Sequence, residues 1–149
     1  MERLDAEVVR RRLAKARVGR LATVGNEGHP HVVPCSFAIA GRVVYTAVDD
    51  VKAKRTPELQ RVRNVLGGGR AALLVDHYED DWSRLWWVRA DCRARVVDSP
   101  IERARALDLL AAKYTPYHDR RPTGAVLALD MERFSAWDAA GGRFQGSSW

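Results

Sequence analysis

Helix-forming and strand-forming segments do not alternate along this chain, and that order is what most constrains its fold. A first helix is expected at about 5–16, where Asp5 can cap, Leu4, Val8, Val9 and Leu13 recur along one side, and Arg10, Arg11 and Arg12 turn outward. Val18 to Val24 and His31 to Ile39 flank the turn-forming GNEGHP and predict a hairpin, and a turn at Ala40-Gly41 leads into a third strand over Val43 to Val48. Thr56-Pro57-Glu58 is a helix start: threonine can cap, proline suits the first position, and glutamate matches the dipole. Leu59, Val62 and Leu66 predict the buried face of this second helix, which Gly67 ends. Arg70 to Tyr78 and Leu85 to Val97 predict a second hairpin around the polar EDDWS segment. Ser99-Pro100-Ile101-Glu102 combines a capping box with a first-position proline and opens a third helix near 100–114, its apolar side formed by Ile101, Leu107, Leu110 and Tyr114 and its end set by Pro116. A last strand spans about Ala125 to Trp137, and the tail over 141–149 reads as irregular.

Such an order excludes the regular β-α-β succession of a parallel sheet. It predicts a mainly β, α+β protein in which antiparallel strands curl into a small closed or partly closed barrel with peripheral helices, since closure removes exposed edges. The 149 residues suit one domain with one core, so residues 1–149 are expected to form a single unit.

Apolar residues make up 46% of the chain and charged residues 30%, a globular balance. No window approaches the roughly 18 uninterrupted apolar residues of a membrane span, and the first residues lack an apolar leader, so a cytoplasmic protein with no membrane partner is expected. Cys35 and Cys92 are the only cysteines and form no CxxC pair, which predicts buried thiols and argues against a disulfide framework or a zinc–thiolate site. The net charge of +6 and pI near 9.8 favour an anionic partner: nucleic acid, a phosphorylated cofactor or an acidic substrate. Arginines are scattered over every element without interleaved exposed aromatics, so no nucleic-acid partner is expected.

Residues 45–57, YTAVDDVKAKRTP, run from a strand end through an acidic pair to Lys52, Lys54 and Arg55 at a helix start. Cations and free helix N–H groups together suit an anion such as phosphate; the alternative is a charged loop salt-bridged to Asp49 and Asp50. His29, His31 and Cys35 lie close in sequence, yet turn and strand-edge histidines are the simpler reading, and no metal is expected. No Ser-His-Asp or Cys-His order points to covalent catalysis, and the catalytic residues stay unassigned. Gly67-Gly68-Gly69 follows a helix and precedes no GK[ST], so it is a helix stop and not a phosphate loop.

The run GRLATVGNEGHPHVVPCSFAIAGRVVYTAVDDVKAK, then GRAALLVDHY, RLWWVRAD and FSAWDA, resembles the pyridoxamine 5'-phosphate oxidase-like split-barrel family over nearly the whole chain. It is most similar to the subgroup that uses the deazaflavin coenzyme F420 in place of FMN. The resemblance implies a six-stranded antiparallel split β-barrel with peripheral helices, acting as a homodimer and transferring a hydride between coenzyme F420 and a small organic acceptor. Val33, Pro34, Cys35 and Ser36 would lie along the cofactor ring, and Thr46 and Lys52 would hold its phosphate with Lys54 and Arg55 as helpers. Trp137 corresponds to a position near the cofactor edge. Trp86 and Trp87 would point to opposite faces of a strand, so that only one lines a given pocket; Trp87 is placed with the cofactor set, and Trp86 with core or interface. Asp50 and Val51 stand where FMN-binding members favour hydroxyl or basic residues, and Gly67-Gly68-Gly69 replaces their Asn-Pro. The surplus of basic residues suits the more negative deazaflavin tail. The alternatives are an FMN-dependent oxidase or reductase on the same fold and a cofactor-binding protein without turnover.

Overall fold

The computed structural model describes residues 3–48 and 56–147, without the side chains of residues 56–59. Helix α1 covers Ala6–Lys15; the Asp5 carboxylate accepts from the Val8 N–H at 3.0 Å, and Val8, Val9 and Leu13 are buried. Strands β1 (Gly19–Val24), β2 (Pro30–Cys35), β3 (Ala38–Ala40) and β4 (Val43–Ala47) follow, then α2 (Thr56–Gly67), β5 (Arg70–His77) and β6 (Trp86–Val96). After α3 (Pro100–Lys113) and the single turn α4 (Pro116–Asp119), the chain closes with β7 (Val126–Asp138) and β8 (Gly142–Gly146).

All strand pairs are antiparallel and form one curled eight-stranded sheet in the order β2-β1-β5-β6-β7-β4-β3. The long β7 carries two partners on one edge, β4 along its first half and β8 along its second. Alternating side chains of β1, β5, β6 and β7 meet inside the curl, where Leu21, Leu73, Val75, Val88, Leu129 and Phe134 pack with Val9 and Leu13 of α1. Each such residue, fully buried, contributes about 1.5–3 kcal/mol. A second cluster lies on the other face, where Ala106 and Leu110 of α3, with Tyr114 just after it, cover Tyr45 and Ala128. Gly19 is closely packed: a Cβ there would meet Leu73 Cδ1 at 2.6 Å and Phe37 Cε1 at 3.2 Å.

The sheet has eight strands, not six. One extra strand arises because the predicted run from His31 to Ile39 breaks at Ser36–Phe37, so that β2 pairs with β1 while β3 pairs with β4 at the far end of the sheet. Three successive antiparallel neighbours therefore do not form. The other extra strand is β8, in the tail expected to be irregular: Asp138 accepts from the N–H groups of Ala140 and Gly141, turning the chain back, and Phe144 packs onto the interior cluster. Helix α2 is also rotated from its predicted face. Leu66 is 71% exposed, whereas Arg61, Asn64 and Val65 are buried, because Asn64 donates to Thr23 Oγ1 at 3.0 Å and accepts from Gln60 at 2.8 Å. In α3 the Ser99 hydroxyl accepts from the Glu102 N–H, as the capping box predicts, but Ile101 is exposed. Both cysteines are buried free thiols. No helix among the described residues is long and apolar enough to cross a membrane.

Candidate functional site

The sites of interest lie at the open edge of β2 and, on the convex face of the sheet, at the beginning of β6. Strand β2 ends the sheet, with β1 on one side only, so its other edge keeps backbone groups outside any ladder among the described residues. Register alternates its side chains. Val33 and Cys35 lie opposite Leu21 and Gly19 and face the interior, while Pro34, opposite Arg20, is exposed on the convex face.

The bend after β2 is held by two hydroxyl groups from distant elements. Thr46 of β4, 1% exposed, donates to the Ser36 carbonyl at 2.8 Å. The Tyr114 hydroxyl accepts from the Phe37 N–H at 3.0 Å, and its oxygen lies 3.1 Å from the carbonyl oxygens of Arg17 and Phe37, to which it can donate. Burial pushes the Cys35 thiol up, outweighing its hydrogen bond with Thr46 and the attraction of Arg61 and Lys113, so Cys35 is a neutral wall and not a thiolate. Lys113, at the end of α3, holds its ammonium 3.9 Å from the centre of the Phe37 ring. Burial, aided by Arg17 and opposed by Cys35, lowers its pKa to about 8.

Of the residues expected to meet a cofactor, the structure thus gathers Cys35, Ser36 and Thr46 in one place, with Val33 and Pro34 just before them. Thr46 spends its proton on the protein's own backbone, and so shapes the bend. Lys52, Lys54 and Arg55 lie outside the described residues.

Trp87 and Trp137 form a separate group. They are register partners across β6 and β7 and line a cavity of about 390 Å³ with Leu74, His77, Tyr78 and Leu85. Trp86 lines it too, contrary to the expectation that only one of the adjacent tryptophans could, because the cavity wraps around the beginning of β6. Trp86 lies between the His77 ring, stacked at 6.2 Å, and the Arg12 guanidinium, 4.8 Å from its centre. Arg12 in turn pairs with Asp138 at 2.7 Å, and His77 contacts Glu79. Burial raises the Asp138 pKa, but the hydrogen bonds from Arg12, Ala140 and Gly141 outweigh it and hold the carboxyl below its ordinary value.

One row of register partners joins the two places across the convex face: Pro34, Arg20, Leu74, Arg89 and Ser135. At about 4.8 Å per strand, Pro34 is separated from the row's β6 position by three strand spacings, some 15 Å. Arg61 and Lys113, which sequence reasoning did not select, belong to the β2 group. Their signals were a buried polar helix face and a lysine beside a buried aromatic, and neither is visible until the bend is in place.

Curled antiparallel sheet, helix-capped interior and an open edge at β2 together define a split-barrel protein. The chain belongs to the pyridoxamine 5'-phosphate oxidase family, whose model matches residues 5–138. Among solved structures it is similar to a heme binding protein from Mycobacterium smegmatis (24% identity, TM-score 0.71, covering 99% of this chain and 60% of that one). It is likewise similar to the conserved hypothetical protein Rv2991 from Mycobacterium tuberculosis (20% identity, TM-score 0.74, covering 93% and 87%). A third is a FAD-binding protein from Mesorhizobium loti (20% identity, TM-score 0.67, covering 97% and 96%). The chain therefore spans 60% of the length of the first of these and most of the other two. At these identities the likeness is one of fold. No curated protein matches the sequence.

Proposed function

We propose that this protein is an oxidoreductase that holds a phosphate-bearing flavin-type ring along β2, with coenzyme F420 as the preferred cofactor. The observation that carries the reading is the open edge of β2, running into a bend that Thr46 and Tyr114 hold rigid from two other elements. A flat heterocycle with ring donors and acceptors fits such an edge, because backbone groups can pair with it without rearranging. The residues present fit the group at Val33 to Ser36, with Thr46 acting through the backbone it braces. Lys52, with Lys54 and Arg55, would neutralise the phosphate.

When bound, the deazaflavin supplies a carbon that gives or takes a hydride. The chain fixes the depth and tilt of the ring through the β2 backbone and keeps water from it with the apolar wall of Val33 and Cys35. Trp87 and Trp137 would offer flat apolar surface to an organic acceptor or to the exposed ring edge. Because about 15 Å of sheet separates Pro34 from β6, the tryptophan pair would serve a ring at β2 by coming from a second protomer, so the protein would act as a homodimer. The net charge of +6 suits the longer anionic tail of F420.

FMN is the second reading, favoured by the similarity to a protein described as FAD-binding. Titration of the purified protein with coenzyme F420, FMN and heme, followed by tryptophan quenching and by the heme absorption band, separates the cases. Micromolar or tighter F420 binding that weakens at least tenfold in Lys52→Ala, about 1.4 kcal/mol, is expected. Absence of binding by either flavin-type cofactor would refute the reading.

A further inference from the structure

The cavity beside Trp87 and Trp137 is one of two that meet at the beginning of β6. Asp76, Trp87 and Trp137 are register partners in one row, and His77, Trp86 and Asp138 are partners in the next, whose side chains point to the opposite face. The first row lines the cavity of about 390 Å³; the second lines another of about 550 Å³, completed by Arg12, Ser83, Arg84 and Ala140. His77 and Trp86 line both, so the two adjoin around the strand end.

Their linings differ in chemistry. The first presents the half-buried indoles of Trp86, Trp87 and Trp137. The second is rich in N–H donors and short of acceptors. One oxygen of the Asp138 carboxylate is taken by Arg12 at 2.7 Å, and the other by the N–H groups of Ala140 and Gly141. The Ser83 hydroxyl donates to Asp81 at 2.6 Å. Arg12 spends one terminal nitrogen on Asp138, and Arg84 only its Nε, 3.3 Å from Glu79. A guanidinium carries more N–H donors than either uses, and the rest find no partner among the described residues. Trp86, held between the His77 ring and Arg12, fixes the aromatic part relative to the cationic one.

We propose that the two cavities together bind an aromatic carboxylate, its ring system against Trp87 and Trp137 and its carboxylate on Arg12 and Arg84. A carboxylate is an acceptor-only group whose flat pair of oxygens matches a guanidinium fork. The ring adds stacking on the indoles. The apolar cavity falls within the roughly 300–1,000 Å³ of small-molecule sites. That such an acid is the acceptor rests on the oxidoreductase reading above; the site itself rests on the two linings.

Calorimetric titration of the cofactor-free protein with 2-naphthoate and with its uncharged isostere 2-naphthamide tests the site. The wild type is expected to bind the acid at least tenfold more tightly than the amide. Arg84, with 69% of its side chain exposed, can be replaced without disturbing the core. Arg84→Met should remove the preference and leave amide affinity unchanged, Arg12→Lys, which keeps a cation for Asp138, should weaken the acid alone, and Trp87→Leu should weaken both probes. Equal affinity for the two probes, a preference that survives Arg84→Met, or no binding of 2-naphthoate at millimolar concentration would overturn the proposal. Repetition with coenzyme F420 or FMN present should leave 2-naphthoate affinity undiminished; competition would give the cavity to the cofactor and overturn the acceptor role. A chain that binds 2-naphthoate as expected but neither cofactor keeps the site and loses the oxidoreductase reading, and the reverse result loses the site alone.

Discussion

Trp87 and Trp137 stand opposite one another across β6 and β7, and the indoles reach the same cavity from neighbouring strands. Directly paired aromatic residues on one sheet face interact beyond the apolar area they bury. Any coupling across this register pair would belong to the protein alone, whatever ligand the cavity receives.

A double-mutant cycle on Trp87→Ala and Trp137→Ala, read by urea unfolding, is therefore expected to give a coupling energy of about 0.5–1.5 kcal/mol. Strictly additive losses would mean that the register pair brings no coupling between the two side chains.

Tyr114→Phe removes the hydroxyl that accepts from the Phe37 N–H and leaves that buried donor without a partner. Loss of about 1–3 kcal/mol of stability is expected. Ring binding at β2 should weaken as well, since the bend after Cys35 loses one of its two supports. A variant as stable as the parent would show that the bend holds without Tyr114.

Glu102 takes a hydrogen bond from the Tyr45 hydroxyl at 2.7 Å and two from Arg95 at 2.8 and 2.9 Å, while Arg95 also reaches Asp130 at 3.0 Å. These bonds, with Arg95 the larger cause, lower its pKa from 4.5 to about 2. A carboxylate lowered on folding stabilises the fold fully above its ordinary value and loses that contribution as pH falls through the folded one. Stability should therefore decline between pH 4.5 and about 2 with a slope that Glu102→Gln reduces. Identical acid-unfolding profiles for the two proteins would contradict this.

Gly19→Ala places a methyl group against Leu73 Cδ1 and the Phe37 ring, at 2.6 and 3.2 Å. Overpacking of this kind costs about 1–3 kcal/mol. Its melting temperature should fall, and Gly19→Ala combined with Leu73→Val should recover part of the loss; failure to recover would place the strain elsewhere.

What the sequence reveals is local. The Asp5 cap of α1 and the Ser99–Glu102 box of α3 lie within three residues of the donors they satisfy, and both form as expected. What it conceals depends on distant partners. The break at Ser36–Phe37 is held by Tyr114, 77 positions beyond Phe37, and α2 buries Asn64 because Thr23, 41 positions earlier, accepts its proton. Strand β8 forms because β7 outruns β4 and leaves an unused edge, which no property of GGRFQG announces. The same holds at the site. The family resemblance names Cys35, Ser36, Thr46, Trp87 and Trp137, but Arg61 looks like any exposed helix arginine until tertiary packing turns it inward.

Strand β2 begins at Pro30 and carries Pro34 one residue before its end. Proline has no N–H, so a strand from another molecule laid along the open edge would find no donor at either position, and a ladder could not propagate along it. The carbonyl oxygens remain. The open edge is in this way closed to the strand-by-strand growth by which exposed sheet edges seed filaments.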